Sequence, residues 1–345
     1  LMWAGGPRAP PGRRPKAQPP PRRVAGMTES HGAIPVDGDR LWADLEANGA
    51  FGATEGPGHG RTAPLGSEAN RLARERFVDR LEDAGLTVRI DRVGNVVGRW
   101  TPPSADPDAA PVATGSHLDS VPEGGIFDGP LGVYAGLEAV RAMRAADAAP
   151  ERPIEVVSFA EEEGARFAIL LGSSVATGLA DAETVLAAEH EGETASAALE
   201  RIGFAGEGLL DASAWDSWLE LHVEQGRRLE RAGLPVGVVT DVTGLVGCRV
   251  RIEGAADHAG TTPMAERTDA FAAACEFGLD VERAAGELAA AGPGTTVGTV
   301  GTATVRPGAT NVIPGAVELG LDLRDVDRDR LDRLVDRGGA SLARI

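Results

Sequence analysis

The stretch from residue 111 to residue 160 limits the fold more than any other part of the sequence. Residues 111–115 form a short apolar segment, residues 131–146 carry apolar side chains at helical spacing, and residues 154–160 (IEVVSFA) form a continuous apolar run. Such a run is typical of a strand in a sheet that is covered on both faces. Strand, helix and strand in this order predict a βαβ unit, and therefore an α/β domain with a mostly parallel sheet.

The loop after the first of these strands carries one imidazole and two carboxylates, within the sequence GSHLDSVPEGGIFDG (115–129). His117 and Asp119 alternate at the end of a strand, so their side chains should point to one face. A metal-bound imidazole usually donates its other N–H to a carboxylate, which Asp119 could accept, and the two oxygens of Asp128 could bridge two cations. An ordinary strand-end histidine followed by turn-forming aspartates is the alternative, and this stretch alone leaves both open.

Two further clusters of ligand-type residues follow predicted strands. The first is AEEEGARF (160–167), where three adjacent carboxylates need either a cation or an exposed helix start. The second is LELHVEQG (219–226), predicted as a half-buried strand with His222 and Glu224 on one face and Gln225 on the other. Because sheets of this class bind ligands at the carboxyl ends of their strands, the clusters together favour a metal site.

The overall charge excludes some classes of partner. The net charge is −18, and residues 1–26 contain six basic and no acidic residues, so residues 27–345 carry −24 (−18 − 6). An acidic surface of this size argues against a nucleic acid as partner. No apolar run approaches the roughly 20 residues that span a bilayer, so no membrane association is predicted. Cys248 and Cys275 fit neither a metal spacing nor a disulfide framework, which predicts a cytoplasmic location.

The sequence predicts three regions. Residues 1–26, rich in Pro and Arg, are predicted to be a disordered tail or a mis-assigned start upstream of Met27. Residues 27–240 are predicted to be the catalytic domain, in its N-terminal part, and residues 241–345 a second domain. The predicted elements from residue 236 onward are strands at 236–242, 249–254, 295–305 and 317–324, with helices at 265–291 and 325–343. From 249 on this is the β-α-β-β-α order of a ferredoxin-like domain without its last strand, so the second domain is predicted to be C-terminally incomplete.

Five motifs in order carry a resemblance to a known family: the three described above, DHAGTTP (257–263) and PGATNVIPG (307–315). From about residue 39 to its end, the chain resembles the amidohydrolase branch of the dimetal aminoacylase and carboxypeptidase family. This branch contains N-carbamoyl-L-amino acid hydrolases, allantoate amidohydrolases and β-ureidopropionases. The resemblance implies a metallohydrolase catalytic domain with a mostly parallel sheet, and a ferredoxin-like lid and dimerisation domain, with the catalytic domain expected to be C-terminally incomplete like the lid.

The resemblance also implies a cofactor and a role for each matching residue. The cofactor would be two divalent metal ions, drawn from Zn, Mn, Co and Ni. The implied roles are metal binding for His117, Asp128, Glu163 and His222, with Asp128 as the bridge, general base for Glu162, and orientation of His117 for Asp119. The residues implied to hold a small ureido-acid substrate are Gln225, His258, Asn311 and Arg324.

Some of these implied roles have ordinary alternatives. His258 would reach the active site of the second subunit of a homodimer, although on the residues alone it is a loop histidine. Arg324 would bind the substrate carboxylate, although on the residues alone it is a surface residue paired with Asp322 or Asp325.

The implied reaction is the hydrolysis of an N-carbamoyl-L-amino acid to the L-amino acid, ammonia and carbon dioxide. Allantoate is the alternative substrate, but allantoate-type members tend to carry arginine near Gly247, where this chain has VGC (246–248). A peptidase of the wider family is disfavoured because His222 stands in LHVEQG. The family's further metal-binding histidine would lie beyond Ile345, so a non-catalytic truncated fragment is another alternative. Residues 27–345 by themselves are expected to bind at most about one metal ion and to show no activity.

Overall fold

A computed structural model describes residues 34–55 and 60–345 of the chain. The expectation for residues 1–26 therefore lies outside the described residues. The chain divides into two compact units, the first ending at Gly233 and the second running from Leu234 to Ile345. This division falls a little before the boundary predicted after residue 240.

The first unit alternates short strands with helices. Its helices are α1 (Gly38–Gly49), α2 (Glu68–Asp83), α3 (Pro130–Ala145), α4 (Leu171–Ala176), α5 (Ala182–Leu186), α6 (Ala195–Arg201) and α7 (Arg228–Ala232). Its strands are β1 (Gly60–Arg61), β2 (Thr87–Ile90), β3 (Val96–Trp100), β4 (Val112–His117), β5 (Gly124–Gly125), β6 (Ile154–Phe159), β7 (Glu189–His190), β8 (Glu193–Thr194) and β9 (Ser217–Leu219).

The central sheet of the first unit has the strand order β2-β3-β6-β4-β9. Strand β4 runs parallel to β6 and to β9, whereas β3 runs antiparallel to β6 and β2. Four of these five strands therefore point the same way, which confirms the prediction of an α/β fold with a mostly parallel sheet. Strand β6 is buried along its whole length, as its continuous apolar sequence predicts.

The predicted strand at residues 219–226 is wrong over most of its length. Pairing between β9 and β4 ends at the pair of Thr114 and Leu219. The chain then leaves the sheet and passes the start of α3, where the Leu221 carbonyl oxygen lies 2.5 Å from the position that a Cβ atom on Gly132 would occupy. His222 therefore lies in irregular structure after the strand. The argument that it shares a strand face with Glu224 does not hold.

The second unit contains β10 (Gly244–Glu253), α8 (Ala270–Ala290), β11 (Val297–Arg306), β12 (Ala316–Asp325) and α9 (Arg328–Arg344). This is the predicted β-α-β-β-α order. The sheet order is β10-β12-β11, with β12 antiparallel to both neighbours. Helix α8 begins later than predicted because the Asp269 side chain accepts the N–H groups of Phe271 and Ala272 and so caps the helix there.

Residues 236–242 were predicted to form a strand, and this prediction is also wrong. They are exposed and adopt no regular structure, and within the described part of the chain no strand pairs with them. β-branched composition alone does not make a strand where no partner supplies hydrogen bonds.

Strand β12 has one face in the core of the second unit and one face outside it. Its buried residues alternate along the strand and pack with residues of α8 and α9, namely Val317, Leu319, Leu321 and Leu323. The residues between them point away from the helices, and Arg324 follows in this outward series.

None of the helices in the described ranges is both long enough and apolar enough to cross a membrane. Cys248 and Cys275 are free, so neither forms a disulfide bond.

Candidate metal centre

Two parallel strands of the first unit bring the predicted ligands to one edge of the sheet. His117 is the last residue of β4 and pairs in register with Phe159, the last residue of β6. The triple-glutamate segment begins two residues after Phe159, and Asp128 lies two residues before α3. Because parallel strands end at the same edge, the carboxylates and the imidazole meet there.

Three side chains form a group that can hold one cation. A ligand atom of each of His117, Asp128 and His222 lies within 4.8 Å of the others. The Nε2 atom of His222 is 3.4 Å from Oδ1 of Asp128, and the centroids of the two imidazole rings are 6.2 Å apart. Two imidazole nitrogens and a carboxylate oxygen are a donor set that suits Zn²⁺ and related divalent cations.

A glycine allows Asp128 to reach this group. Gly129 has φ of +82°, and a Cβ atom there would lie 2.5 Å from the imidazole ring of His117. Any other residue would therefore push the Asp128 turn away from the histidine. The glycine at position 129 thus has its physical reason in the short approach between the two ligands.

Asp119 lies beneath His117 and links it to the glutamates. Its buried carboxylate accepts the backbone N–H groups of Glu162 at 3.3 Å and Glu163 at 3.0 Å, and Oδ1 lies 3.6 Å from Nδ1 of His117. Burial alone would raise the pKa of Asp119, but the His117 interaction and these two N–H groups hold it below its ordinary value. The Nδ1 atom of His117 lies nearer still to the Asp119 backbone carbonyl oxygen, at 3.1 Å, so Asp119 can orient the imidazole through its main chain as well as its carboxylate.

The surroundings of His117 favour positive charge at this site. Burial lowers the pKa of the imidazole, but Asp119, Glu163 and Asp128 outweigh burial and raise it to about 9. A metal ligand must be neutral, so a bound cation would displace this proton and take over its role in balancing the carboxylates. The residues present therefore fit a divalent cation.

Glu163 and Asp128 show the same demand for a cation. The pKa of Glu163 is raised by burial and by the charges of Asp128 and Asp119, although His117 acts in the opposite direction. Neighbouring carboxylates repel each other, and a cation between them would remove this repulsion. Glu163 was predicted to bind the second metal, and its place beside the predicted bridge is compatible with that role.

The three adjacent glutamates have different surroundings. The Glu161 carboxylate accepts three backbone N–H groups, from Leu65, Arg166 and Phe167, and so fixes the loop rather than facing a ligand. Burial raises the pKa of Glu162 to about 7, although hydrogen bonds from Ser173 act in the opposite direction. A carboxylate poised near neutrality suits a general base.

Gln225 contacts the metal-site carboxylate directly. Its backbone has φ of +55°, in the left-handed region, and its side-chain amide donates to Oδ2 of Asp128. The structure thus places this predicted substrate-binding residue beside the site, in contact with a predicted ligand.

The other predicted substrate-binding residues belong to the second unit, where two of them lie next to each other. His258 forms a β-bridge with Val312, and the backbone N–H of Ala259 donates to the Asn311 carbonyl at 3.0 Å. The DHAGTTP and PGATNVIPG motifs therefore meet in this unit.

Arg324 forms the ion pair that the residues alone suggest. Its Nε and one terminal nitrogen donate to the two oxygens of Asp322 at 2.7 and 2.8 Å. Since the side chains of both residues remain about half exposed, the pair is open to exchange with another carboxylate.

Two residues beside the site carry no sequence signal. Arg61 is fully buried and donates to the carbonyl of Leu118, between His117 and Asp119. Ser173 donates to both oxygens of Glu162. Neither belongs to a motif, and only the three-dimensional structure brings them to the site.

An α/β unit with imidazoles and carboxylates gathered at its strand ends is typical of metal-dependent hydrolases. Comparison with known proteins identifies the family. Residues 113–315 match the family described as "Peptidase family M20/M25/M40", and the chain belongs to this family. The resemblance drawn from the five motifs is confirmed.

Individual members of the family with similar sequences are amidohydrolases and related hydrolases. The N-carbamoyl-L-amino acid amidohydrolase of Geobacillus stearothermophilus is 41% identical over 304 residues, which cover 87% of this chain and 72% of the relative. The ureidoglycolate hydrolase of Arabidopsis thaliana is 34% identical over 316 residues, covering 88% and 65%. Among solved structures, an amidase of the hydantoinase/carbamoylase family from Burkholderia vietnamiensis has a TM-score of 0.81 at 37% identity, covering 90% of this chain and 74% of that chain.

Proposed function

We propose that the full-length protein is a metal-dependent amidohydrolase that converts an N-carbamoyl-L-amino acid to the L-amino acid, ammonia and carbon dioxide. The observation that carries this proposal is the similarity to four relatives of that name, at 36–41% identity over 304 to 312 residues. The group formed by His117, Asp128 and His222 supports the metal dependence.

The site residues divide between two cations and the reacting water. We assign His117 and His222 to one cation, Glu163 to the other and Asp128 to both. Two divalent cations, drawn from Zn, Mn, Co and Ni, would polarise the carbamoyl carbonyl and make a bound water nucleophilic near neutral pH. The donor set of His117, Asp128 and His222, and the charge of Asp128 acting on Glu163, support this assignment.

Glu162 is the proposed general base. It takes a proton from the water that attacks the carbamoyl carbon, and it returns the proton to the amino acid nitrogen when the C–N bond breaks. The products are the free amino acid and carbamic acid, and the latter decomposes to ammonia and carbon dioxide. Asp119 holds the His117 ring and the backbone of Glu162 in place during these steps.

The substrate carboxylate is the proposed partner of Arg324. A guanidinium fork binds a carboxylate through two parallel hydrogen bonds, as Arg324 does with Asp322. Gln225, His258 and Asn311 complete the proposed set of substrate contacts.

We further propose a homodimer formed through the second unit, in which His258 serves the partner's active site. The exposed edge strand β11 supports this because unpaired edges accept another strand.

A second candidate substrate class is a ureido acid of the allantoate or ureidoglycolate type. Its support is the 34% identity to the ureidoglycolate hydrolase of Arabidopsis and to a soybean protein named allantoate deiminase 1. Gly247 weighs against it because allantoate-type members tend to carry arginine near this position.

The test is ammonia release by the full-length protein, loaded in turn with Mn, Co, Zn or Ni. The substrate panel contains N-carbamoyl-L-amino acids, their D-enantiomers, allantoate and β-ureidopropionate. We expect turnover of at least one N-carbamoyl-L-amino acid, lost on chelation and restored by metal. Faster turnover of allantoate would favour the second class, and no turnover on any substrate with any metal would refute the proposal.

A further inference from the structure

Ser173 makes the closest polar contacts of the Glu162 carboxylate. Its backbone N–H donates to Oε1 of Glu162 at 3.0 Å, and its hydroxyl donates to Oε2 at 2.6 Å. Both carboxylate oxygens are therefore held by one residue eleven positions further along the chain. The side chain of Glu162 cannot rotate without breaking two hydrogen bonds.

The position of Ser173 is fixed by backbone contacts that do not involve its own side chain. The N–H groups of Leu170, Leu171 and Gly172 donate in succession to the carbonyls of Glu162, Glu161 and Ala160, at 3.1, 3.1 and 2.8 Å. This short ladder docks the start of α4 on the end of β6. The next N–H in the series is that of Ser173, and it meets the Glu162 side chain.

A glycine and an asparagine keep this docking close. A Cβ atom on Gly172 would collide with the side chain of Asn95 and the backbone of Ala160. The Asn95 amide group accepts the N–H of Ala160 at 3.0 Å and donates to the carbonyl of Gly172 at 3.2 Å, so it joins β6 to α4. The site of Ser173 is thus built by buried groups around it, and removal of its hydroxyl should leave the fold intact.

We infer that Ser173 is a positioning residue for the general base, which it holds in the orientation needed for proton transfer. This inference rests on the proposed function, because it concerns how Glu162 acts in that reaction. A carboxylate has about four lone-pair positions, and Ser173 occupies one on each oxygen. The remaining lone pairs are free to accept the proton of the attacking water. Loss of the hydroxyl releases one oxygen and lets the carboxylate leave the productive geometry.

The neighbouring Ser174 provides a matched control. It lies in the same turn of α4 and is also half-buried, but its hydroxyl donates to the carbonyl of Leu171 at 3.2 Å and does not contact Glu162. Ser173→Ala and Ser174→Ala therefore remove the same atom from adjacent positions. Ser173→Thr keeps a hydroxyl and tests whether the hydrogen bond, rather than the volume, is required.

The experiment measures kcat, KM and bound metal for the three variants of the full-length protein, with the N-carbamoyl-L-amino acid that the unmodified protein hydrolyses fastest. We expect Ser173→Ala to lower kcat about ten- to a hundredfold, as loss of a hydrogen bond to a charged group implies, because the backbone N–H still holds one oxygen. KM and metal content should stay the same, Ser174→Ala should resemble the unmodified protein, and Ser173→Thr should recover at least part of the loss.

A second readout does not depend on turnover. With glutamate labelled at the side-chain carboxyl carbon and the Glu162 signal assigned by its absence in Glu162→Gln, Ser173→Ala should shift or broaden that signal and Ser174→Ala should not. An active unmodified protein whose kcat is equal in the two alanine variants would overturn the inference and leave the proposed function standing. An unmodified protein that hydrolyses no substrate of the panel would overturn the proposed function. The labelled signal then decides whether Ser173 holds Glu162 at all.

Discussion

The predicted functional residues of the two units are stabilised in different ways. In the first unit, His117 is buried and Glu162 and Glu163 are at least half-buried among like or opposite charges, and the pKa values of all three are raised. In the second unit, Arg324 is half exposed and its charge is already matched by Asp322. The negative charges of the first unit's site need a cation to neutralise them. The charge of Arg324 is already neutralised by Asp322, so binding a substrate requires only that the substrate carboxylate replace that of Asp322.

This contrast predicts how each region responds to substitution. A buried group in a network of charges has no substitute when its chemistry is removed, so the effect should be large and specific. An exposed ion pair contributes little by itself, so substitution there should affect binding and leave the chemistry nearly intact.

The largest effect is expected for Glu162→Gln. The amide has the same shape but cannot accept the proton, so kcat should fall about a thousandfold. Metal content should not change, because Glu162 is assigned no metal. Ammonia release and elemental analysis on the same preparation measure both quantities. Loss of metal together with activity would show that Glu162 is a ligand.

Glu163→Gln should act on metal binding instead. Removal of its charge leaves Asp128 without the shared cation, so the full-length protein should retain one metal per chain rather than two, and activity should fall with the lost metal. Titration with metal, followed by elemental analysis after desalting, measures the stoichiometry. If Glu162→Gln and Glu163→Gln lost metal equally, the assignment of base and ligand within this segment would be wrong.

Arg324→Ala should have a smaller and different effect. A carboxylate-binding residue remote from the scissile bond contributes mainly to uniform binding, so KM should rise about tenfold with kcat much less affected. Arg324→Lys should rescue poorly because a point charge cannot reproduce the two parallel hydrogen bonds.

A control for Arg324 is available on α9. Arg328 forms an exposed pair with Asp332 at 3.0 Å, and Arg328→Ala should change neither constant. If KM for carboxylate-bearing substrates were unchanged in Arg324→Ala, Arg324 would have no role in substrate binding and would only form its ion pair with Asp322.

The sequence predicts those features of the structure that depend on neighbouring residues, and it fails where a feature depends on residues far apart in the chain. The burial of β6 was predicted because five of the seven residues at 154–160 are apolar, and so short a segment carries the signal by itself. The strand at 219–226 was mispredicted because its alternation continues past Leu219, whereas the pairing with β4 does not. Apolar alternation therefore indicates where a strand is possible, and the partner strand decides where it ends.

The same rule applies to the site. The Arg324 ion pair was foreseen as an alternative because Asp322 lies two residues away on the same strand face. Ser173 was not foreseen, since its contact with Glu162 depends on the docking of α4 against β6, which no local pattern encodes. On the residues alone Glu161 could not be distinguished from its two neighbours, because its three N–H donors come from Leu65 and from the loop that follows. Only the family resemblance gave the neighbours separate roles.

The smallest effect on activity is expected at the buried ion pair of the second unit, between Asp325 and Arg330, where substitution should change stability instead. Asp325 is almost fully buried, accepts hydrogen bonds from Thr295, Thr296 and the backbone of Asp327, and pairs with Arg330 at 2.9 Å. Burial acts to raise the pKa of Asp325, but these donors outweigh it and hold the pKa well below its ordinary value.

A carboxylate with a lowered pKa in the folded state stabilises the protein above its unfolded pKa of about 3.9, and this stabilisation is lost as the pH falls through the folded value. We therefore expect Asp325→Asn to lower the free energy of unfolding by about 1–3 kcal/mol at pH 7, with the difference from the unmodified protein shrinking as the pH falls below about 4. Asp332→Asn, at the exposed pair on α9, should cost less than about 0.5 kcal/mol and serves as control. Thermal unfolding from pH 7 to pH 2.5 measures both, and kcat should be unchanged in either variant because neither residue lies in the proposed site. An Asp325→Asn protein as stable as the control at pH 7 would show that the fold of the second unit does not depend on this ion pair. The contrast between the two units, one dependent on buried charges and the other locally balanced, would then hold for stability as well as for function.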